Sequence, residues 1–111
     1  MEKNQIFENI MSRTSVRSYT DMPVEQEKIE MMLLAGMAAP SACNKQPWHF
    51  VVINDREILD QIPQFSPYAG MVKQAPLAIV VCGCLDKTLE GTEQEFWIQD
   101  CSAATENILL M

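Results

Sequence analysis

Basic residues are scarce in this chain. Eight lysines and arginines stand against 15 aspartates and glutamates, for a formal net charge of -7. Nucleic acid and anionic membranes both require a net positive footprint, so neither is expected as the main partner, and any anion must be bound locally. Histidine is scarcer still. His49 is the single one, and without a second histidine at ligand spacing it makes no metal site. The longest apolar runs, LAIVVCGCL and MMLLAGMAAP, are too short to cross a bilayer as helices. The N-terminus MEKNQIFENI lacks the apolar stretch and small-residue cleavage site of a signal peptide, so a soluble, cytoplasmic protein is expected. The C-x-x-C spacing of redox pairs is also absent. Cys43, Cys82, Cys84 and Cys101 lie scattered in apolar surroundings and read as thiols, not as a secreted disulfide framework. No repeat, low-complexity tract or linker interrupts the chain, whose 111 residues, 48% of them hydrophobic, allow one domain with a small core.

What is present is a series of periodic segments. Ile6, Phe7, Ile10 and Met11 recur at helical spacing and predict an amphipathic helix over 3–12. After Pro23, VEQEKIEMMLLAGMAA predicts a second helix, with Glu25 and Glu27 in its first turn, apolar positions at Ile29, Met32, Leu33 and Gly36, and Pro40 as its stop. WHFVVIN reads as a buried strand, and Asn54 or Asp55 as the cap of a short helix over REILDQI. PLAIVVCGC reads as a second strand, in which Cys82 and Cys84 face one way and belong to the core. Between them, QFSPYAGMVKQA reads as loop or short helix. Trp97, Cys101, Ala104, Ile108 and Met111 then predict a final helix that stops on ILLM without a capping glycine or a basic last turn. A lone strand pair makes too small a sheet for these helices. The expectation is therefore the N-terminal part of a larger α+β domain, or a chain whose missing strands and helices come from a partner.

Two stretches carry chemistry. SRTSVRSYTDMP, residues 12–23, sets Arg13 and Arg17 four apart among the hydroxyls of Thr14, Ser15 and Ser18. Its plain reading is a solvated connection whose arginines pair with surface acids. Its functional reading is a phosphate or anionic-ring site, because an arginine fork grips two oxygens at once and hydroxyls complete the cradle. PSACNKQPWHF, residues 40–50, joins a helix stop to small residues that let a ligand approach the backbone, and adds the amides of Asn44 and Gln46. Amides donate and accept together, which suits a heterocycle with a mixed hydrogen-bonding edge. The plain reading here is a structured helix-to-strand turn.

In this order, the two stretches resemble the N-terminal signatures of the FMN-dependent nitroreductase family. Arg13-Thr14-Ser15-Val16-Arg17 matches its R-x-S-x-R segment, and Pro40 to Trp48 matches its P-S-[SA]-x-N-x-Q-P-W segment. The final helix, with Gln99 to Asn107, is similar to the family's long central helix. The resemblance implies an α+β fold with a central, mostly antiparallel sheet flanked by helices, here truncated after that helix, so that 1–111 would be the N-terminal part of a single FMN-binding domain. It also implies a homodimer with FMN at the interface. Arg13, Thr14, Ser15 and Arg17 would contact the phosphate, ribityl chain and pyrimidine edge. Pro40, Ser41 and Ala42 would approach the flavin of the other subunit, and Asn44 and Gln46 would reach the isoalloxazine. Two arginines would then serve an anionic phosphate and the negative charge that a flavin develops on reduction.

The activity implied is hydride transfer from NAD(P)H through FMN to a small-molecule electron acceptor, such as a nitroaromatic or quinone, in a ping-pong cycle. No protein acid, base or nucleophile is assigned, and Cys43 would only fill space beside the flavin. The alternatives are a non-catalytic folding or dimerisation fragment of that family, or a relative that uses the flavin for dehalogenation or ring cleavage.

Overall fold

The computed structural model describes residues 4–111. Helix α1 spans Gln5–Ser12 and is capped by Asn4, whose side chain accepts from the Phe7 N–H at 2.9 Å. Lys3, where this helix was expected to begin, lies outside the described residues. No residue of α1 is buried; Ile6 and Met11 stay 72% and 68% exposed, so its apolar stripe is unfilled. Helix α2, Gln26–Met37, starts two residues later than its apolar pattern predicts. Glu25 is its N-cap residue, not part of its first turn, and makes no side-chain cap; its carboxylate instead meets Lys28 Nζ at 2.7 Å. Ile29 and Gly36 are buried, as their spacing requires.

Strands β1 (Trp48–Ile53) and β2 (Ala78–Gly83) pair antiparallel, in a register that sets Trp48 opposite Gly83 and His49 opposite Cys82. Helix α3, Arg56–Phe65, is capped by Asp55, which accepts from the Glu57 N–H. It runs three residues beyond Ile62 and takes in Pro63. Pro63 has no N–H to give to the Leu59 carbonyl, and the Ser66 N–H closes the last turn onto Ile62. The segment that reads as loop or short helix becomes a 3-10 turn over Gly70–Gln74. Arg56 staples it to α3 by donating to the carbonyls of Ala75 and Val72, while its Nε holds Asp60.

Helix α4, Trp97–Leu110, follows a 3-10 stretch over Gly91–Phe96 and lies across α2 and one face of the strand pair. Ala39, Trp48, Cys101 and Ala104 form the buried cluster, with Phe50, Val81, Trp97 and Ala103 packed against it. Two glycines permit this approach. A Cβ on Gly36 would lie 2.9 Å from Phe50 Cζ and 3.1 Å from Ile108 Cδ1, and one on Gly83 would strike the Trp97 ring. Asn107 Nδ2 donates to the Ala35 carbonyl at 3.0 Å, and Asn9 Nδ2 to the Leu110 carbonyl, so that α2 and α1 are both tied to α4.

Cys82 and Cys84 are half-buried, which corrects their expected place in the core. Residues directly opposite each other share a face, so Cys82 goes with the exposed His49, while α4 covers the face of Trp48, Phe50 and Val81. Met111, expected in the periodic pattern of the final helix, lies just past its end and is exposed. Among the described residues no helix is long and apolar enough to cross a membrane.

Candidate functional site

The residues of the first motif follow α1 in a stretch without regular secondary structure. Arg13 terminates the helix by donating its N–H to the Asn9 carbonyl at 3.1 Å, and its φ of -56° and ψ of 131° turn the chain away. From there Arg13, Thr14, Ser15, Val16 and Arg17 line one side of an open cleft of about 400 Å³, and Tyr19, Met71 and Leu109 complete it. The structure thus brings the four predicted residues of this motif together. Tyr19 donates its hydroxyl to the Val16 carbonyl at 2.9 Å, which folds the end of the segment back on itself. Arg13 Nε stands 3.8 Å from a carboxylate oxygen of Glu106 on α4. Arg17 enters none of the ion pairs among the described residues. The cleft therefore presents one guanidinium held loosely by an acid and one free to take an anion.

A second, larger cleft of about 720 Å³ adjoins it and shares Tyr19, Met71 and Leu109 as a common wall. Its lining is mostly apolar, including Met22, Met32, Leu77, Ile79, Val81 and Ile108. A polar pocket of guanidinium and hydroxyl groups that opens beside an apolar one suits an elongated ligand with an anionic, hydroxyl-rich end and an apolar remainder. Sequence reasoning missed Tyr19, Met71, Leu109 and Glu106. Tyr19 lies in the first stretch but outside its R-x-S-x-R core, and only the fold brings 71, 106 and 109 to residues 13–17.

The second motif is a tight loop between α2 and β1, with a 3-10 turn over Ala42–Asn44. Cys43, Asn44 and Gln46 have φ of 50°, 53° and 49°. That is the left-handed region, which asparagine tolerates and other side chains enter at a cost of about 1–2 kcal/mol. Hydrogen bonds hold the conformation. Ser41 Oγ accepts from the Gln46 N–H at 3.0 Å, Asp100 Oδ1 accepts from the Ala42 N–H at 3.0 Å, and Gln46 Nε2 donates to Asn44 Oδ1 at 2.8 Å. Pro47, fully buried, anchors the exit, and its carbonyl accepts from the Cys84 N–H. Pro40, Asn44 and Gln46 are exposed, and Ser41 and Ala42 half-buried. Asn44 and Gln46 satisfy each other in part, and that bond leaves Asn44 Nδ2 and Gln46 Oε1 unused. No residue of 40–46 lines either cleft described above, so a single chain does not bring the two motifs into one cavity.

Cys43 is exposed in this loop, whereas Cys101 is buried under it on α4. Burial, with the carboxylate of Asp100 beside it, pushes the Cys101 thiol up, which keeps it protonated and unreactive.

Comparison with known proteins agrees with the two motifs. The profile of the nitroreductase family matches residues 10–66, just over half of the chain. A protein of Methanothermobacter thermautotrophicus, provisionally named NADH dehydrogenase/NAD(P)H nitroreductase, is 47% identical over 99% of this chain and 56% of its own length. A crystal structure from Bacteroides thetaiotaomicron with the same provisional name superposes with a TM-score of 0.90 at 47% identity, covering 98% of this chain and 61% of that one. A provisionally named nitroreductase of Desulfovibrio desulfuricans, solved in complex with FMN, gives a TM-score of 0.85 at 31% identity over 98% of this chain and 62% of that one. The chain thus spans little more than half the length of the curated relative. On the profile match and these identities, the chain belongs to the nitroreductase family.

Proposed function

We propose that these residues form one part of a single FMN-binding domain, which transfers hydride equivalents from NAD(P)H to a small acceptor such as a nitroaromatic or quinone in a ping-pong cycle. The observation that carries this reading is the cleft over Arg13–Arg17, where two guanidinium groups and two hydroxyls face a common space that opens into an apolar one. FMN would supply the redox chemistry, since its ring accepts a hydride from a nicotinamide and returns it to an acceptor. The protein binds and orients. Arg13 and Arg17 take the phosphate and the pyrimidine edge, Thr14 and Ser15 the ribityl hydroxyls, and a nearby cation favours the charge that the ring gains on reduction. The NAD(P)H and FMN in this reading are supported by the names of the relatives, which include an FMN reductase [NAD(P)H] of Bacillus subtilis, 30% identical over 71% of this chain.

A homodimer is part of the same reading. Pro40, Ser41, Ala42, Asn44 and Gln46 line neither cleft of their own chain, and a second copy would bring them to the flavin held by its Arg13–Arg17 segment. The unfilled apolar stripe of α1 and the exposed Met31, Leu34 and Met37 of α2 offer surface for such a contact. A cytoplasmic location accords with four free thiols.

The test is an absorbance spectrum of the 111-residue protein, gel-filtered after incubation with FMN. Retained flavin bands that bleach on addition of NADH or NADPH are expected. A colourless protein would overturn the reading that residues 1–111 hold FMN without the remainder of the domain.

A further inference from the structure

Asp100 is the one acidic or basic side chain that is buried among the described residues, at 6% exposure. A carboxyl group removed from water is costly unless it is hydrogen-bonded. Two features offset that cost here. Asp100 stands in the first turn of α4, where the helix dipole favours a negative group, and its Oδ1 accepts from the Ala42 N–H at 3.0 Å, across 58 residues of sequence. Ala42 opens the 3-10 turn in the loop that carries Cys43, Asn44 and Gln46 in left-handed backbone. Such a conformation persists only where its surroundings over-determine it. The bonds from Ser41 Oγ and between the Asn44 and Gln46 amides lie within the loop and shape it, but they do not fix its position on the fold. The bond to Asp100 does, because its acceptor belongs to the long helix under the core. Ala42, Lys45, Trp97 and Asp100 border the same narrow crevice beneath the loop.

We propose that Asp100 is a positioning residue for the flavin site. It sets the height of the Pro40–Gln46 loop over α4, and with it the placement of the Asn44 and Gln46 amides toward the ring. Its contribution is an acceptor at a fixed point, not a charge. The proposal rests on the FMN reading above. Asp100 touches no ligand itself and acts through the Ala42 N–H.

Two substitutions separate the parts of this claim. Asp100→Asn keeps a carbonyl oxygen where Oδ1 stands and removes the charge. Asp100→Leu keeps the branched shape, with larger methyl groups in place of the oxygens, and removes the acceptor, and Asp100→Ala replaces it if the leucine variant does not fold. The first measurement needs no flavin. Amide hydrogen exchange at Ala42 is expected to quicken by about tenfold or more without the acceptor and to stay within about threefold of the parent in Asp100→Asn, while the Val51 and Val80 amides are unchanged. The second is FMN affinity by fluorescence quenching, expected to weaken by about tenfold in the same variant and to be rescued by Asp100→Asn. A general loss of stability would quicken the strand amides as well, so it is told apart from a loosened loop. Unchanged exchange at Ala42, a faster exchange with unaltered FMN affinity, or an Asp100→Asn protein as weak as Asp100→Leu would each overturn the proposal. A parent protein that binds no FMN, while Ala42 exchange still follows the acceptor at 100, would overturn the flavin reading and leave Asp100 only as the anchor of the loop.

Discussion

The two motifs meet opposite fates in the fold. The loop over Pro40–Gln46 is held on every side: its ends are set by buried Ala39 and Pro47, its interior by Ser41 and by paired amides, and its underside by Asp100. The segment over Arg13–Arg17 is exposed throughout, and its contacts are the turn made by Tyr19 and the long ion pair of Arg13 with Glu106. One region is shaped before any ligand arrives. The other presents its charge on an exposed segment with few bonds of its own. Shape recognition needs side chains fixed in advance, because a loose loop loses affinity to the entropy of ordering it. Recognition of a phosphate tolerates mobility, since a guanidinium gains most of its energy from charge-assisted bonds formed on contact.

If that contrast holds, substitutions behind the loop act on stability and those in the segment act on binding. The largest effect is expected for Gly83→Ala. The added methyl enters the Trp97 ring, with Cδ2 only 2.8 Å away, and Trp97 packs against the core beside the loop. A loss of about 3 kcal/mol, the upper end for overpacking, should appear in urea denaturation, and wild-type stability would mean that the ring has room to move. Next is Arg17→Ala, which should weaken FMN binding by about 2 kcal/mol, as for a hydrogen bond to a charged group, with an unchanged unfolding midpoint. Equal flavin affinity in mutant and parent would remove Arg17 from the site.

Ser41→Ala comes third. It takes the acceptor from the Gln46 N–H and should cost about 1 kcal/mol of stability, because the left-handed Gln46 then lacks its partner. A neutral result would show that the loop keeps its shape without the Ser41 bond. The smallest is Glu106→Gln. With the Glu106 side chain 54% exposed and the nitrogen 3.8 Å away, the lost pair should change stability by less than about 0.5 kcal/mol. A large effect would mean that the first segment is far more fixed than its exposure implies.

The same contrast governs how much was legible in the sequence. Helices α2 and α4 announce themselves because their apolar residues repeat at helical spacing, the strands because they are unbroken apolar runs, and α3 because Asp55 offers a cap. The motif residues were legible as residue types at short spacing. Their partners were not. Asp100 is one acid among 15 until the fold sets it under Ala42, and the staple from Arg56 to Ala75 and Val72 spans an interval that carries no periodic signal. The left-handed conformation at Cys43 and Gln46 has no sequence mark either, since glycine would normally flag it and is not there. Cys82 and Cys84 were misread because alternation tells which residues share a face, but not which face α4 covers.

Gly83 also bears on how the chain avoids pairing its strands wrongly. Sliding β2 by one residue against β1 would set Cys82 or Cys84 across from Trp48 and turn every side chain to the other side of the sheet. The Trp97 ring would then meet a side chain where now it meets none. Of these alignments only the observed one leaves a bare backbone for the indole to cover, so the packing of Trp97 is compatible with this register and not with its one-residue slips. Because Trp48 follows the Pro40–Gln46 loop after one proline, the same alignment also fixes where that loop joins the sheet.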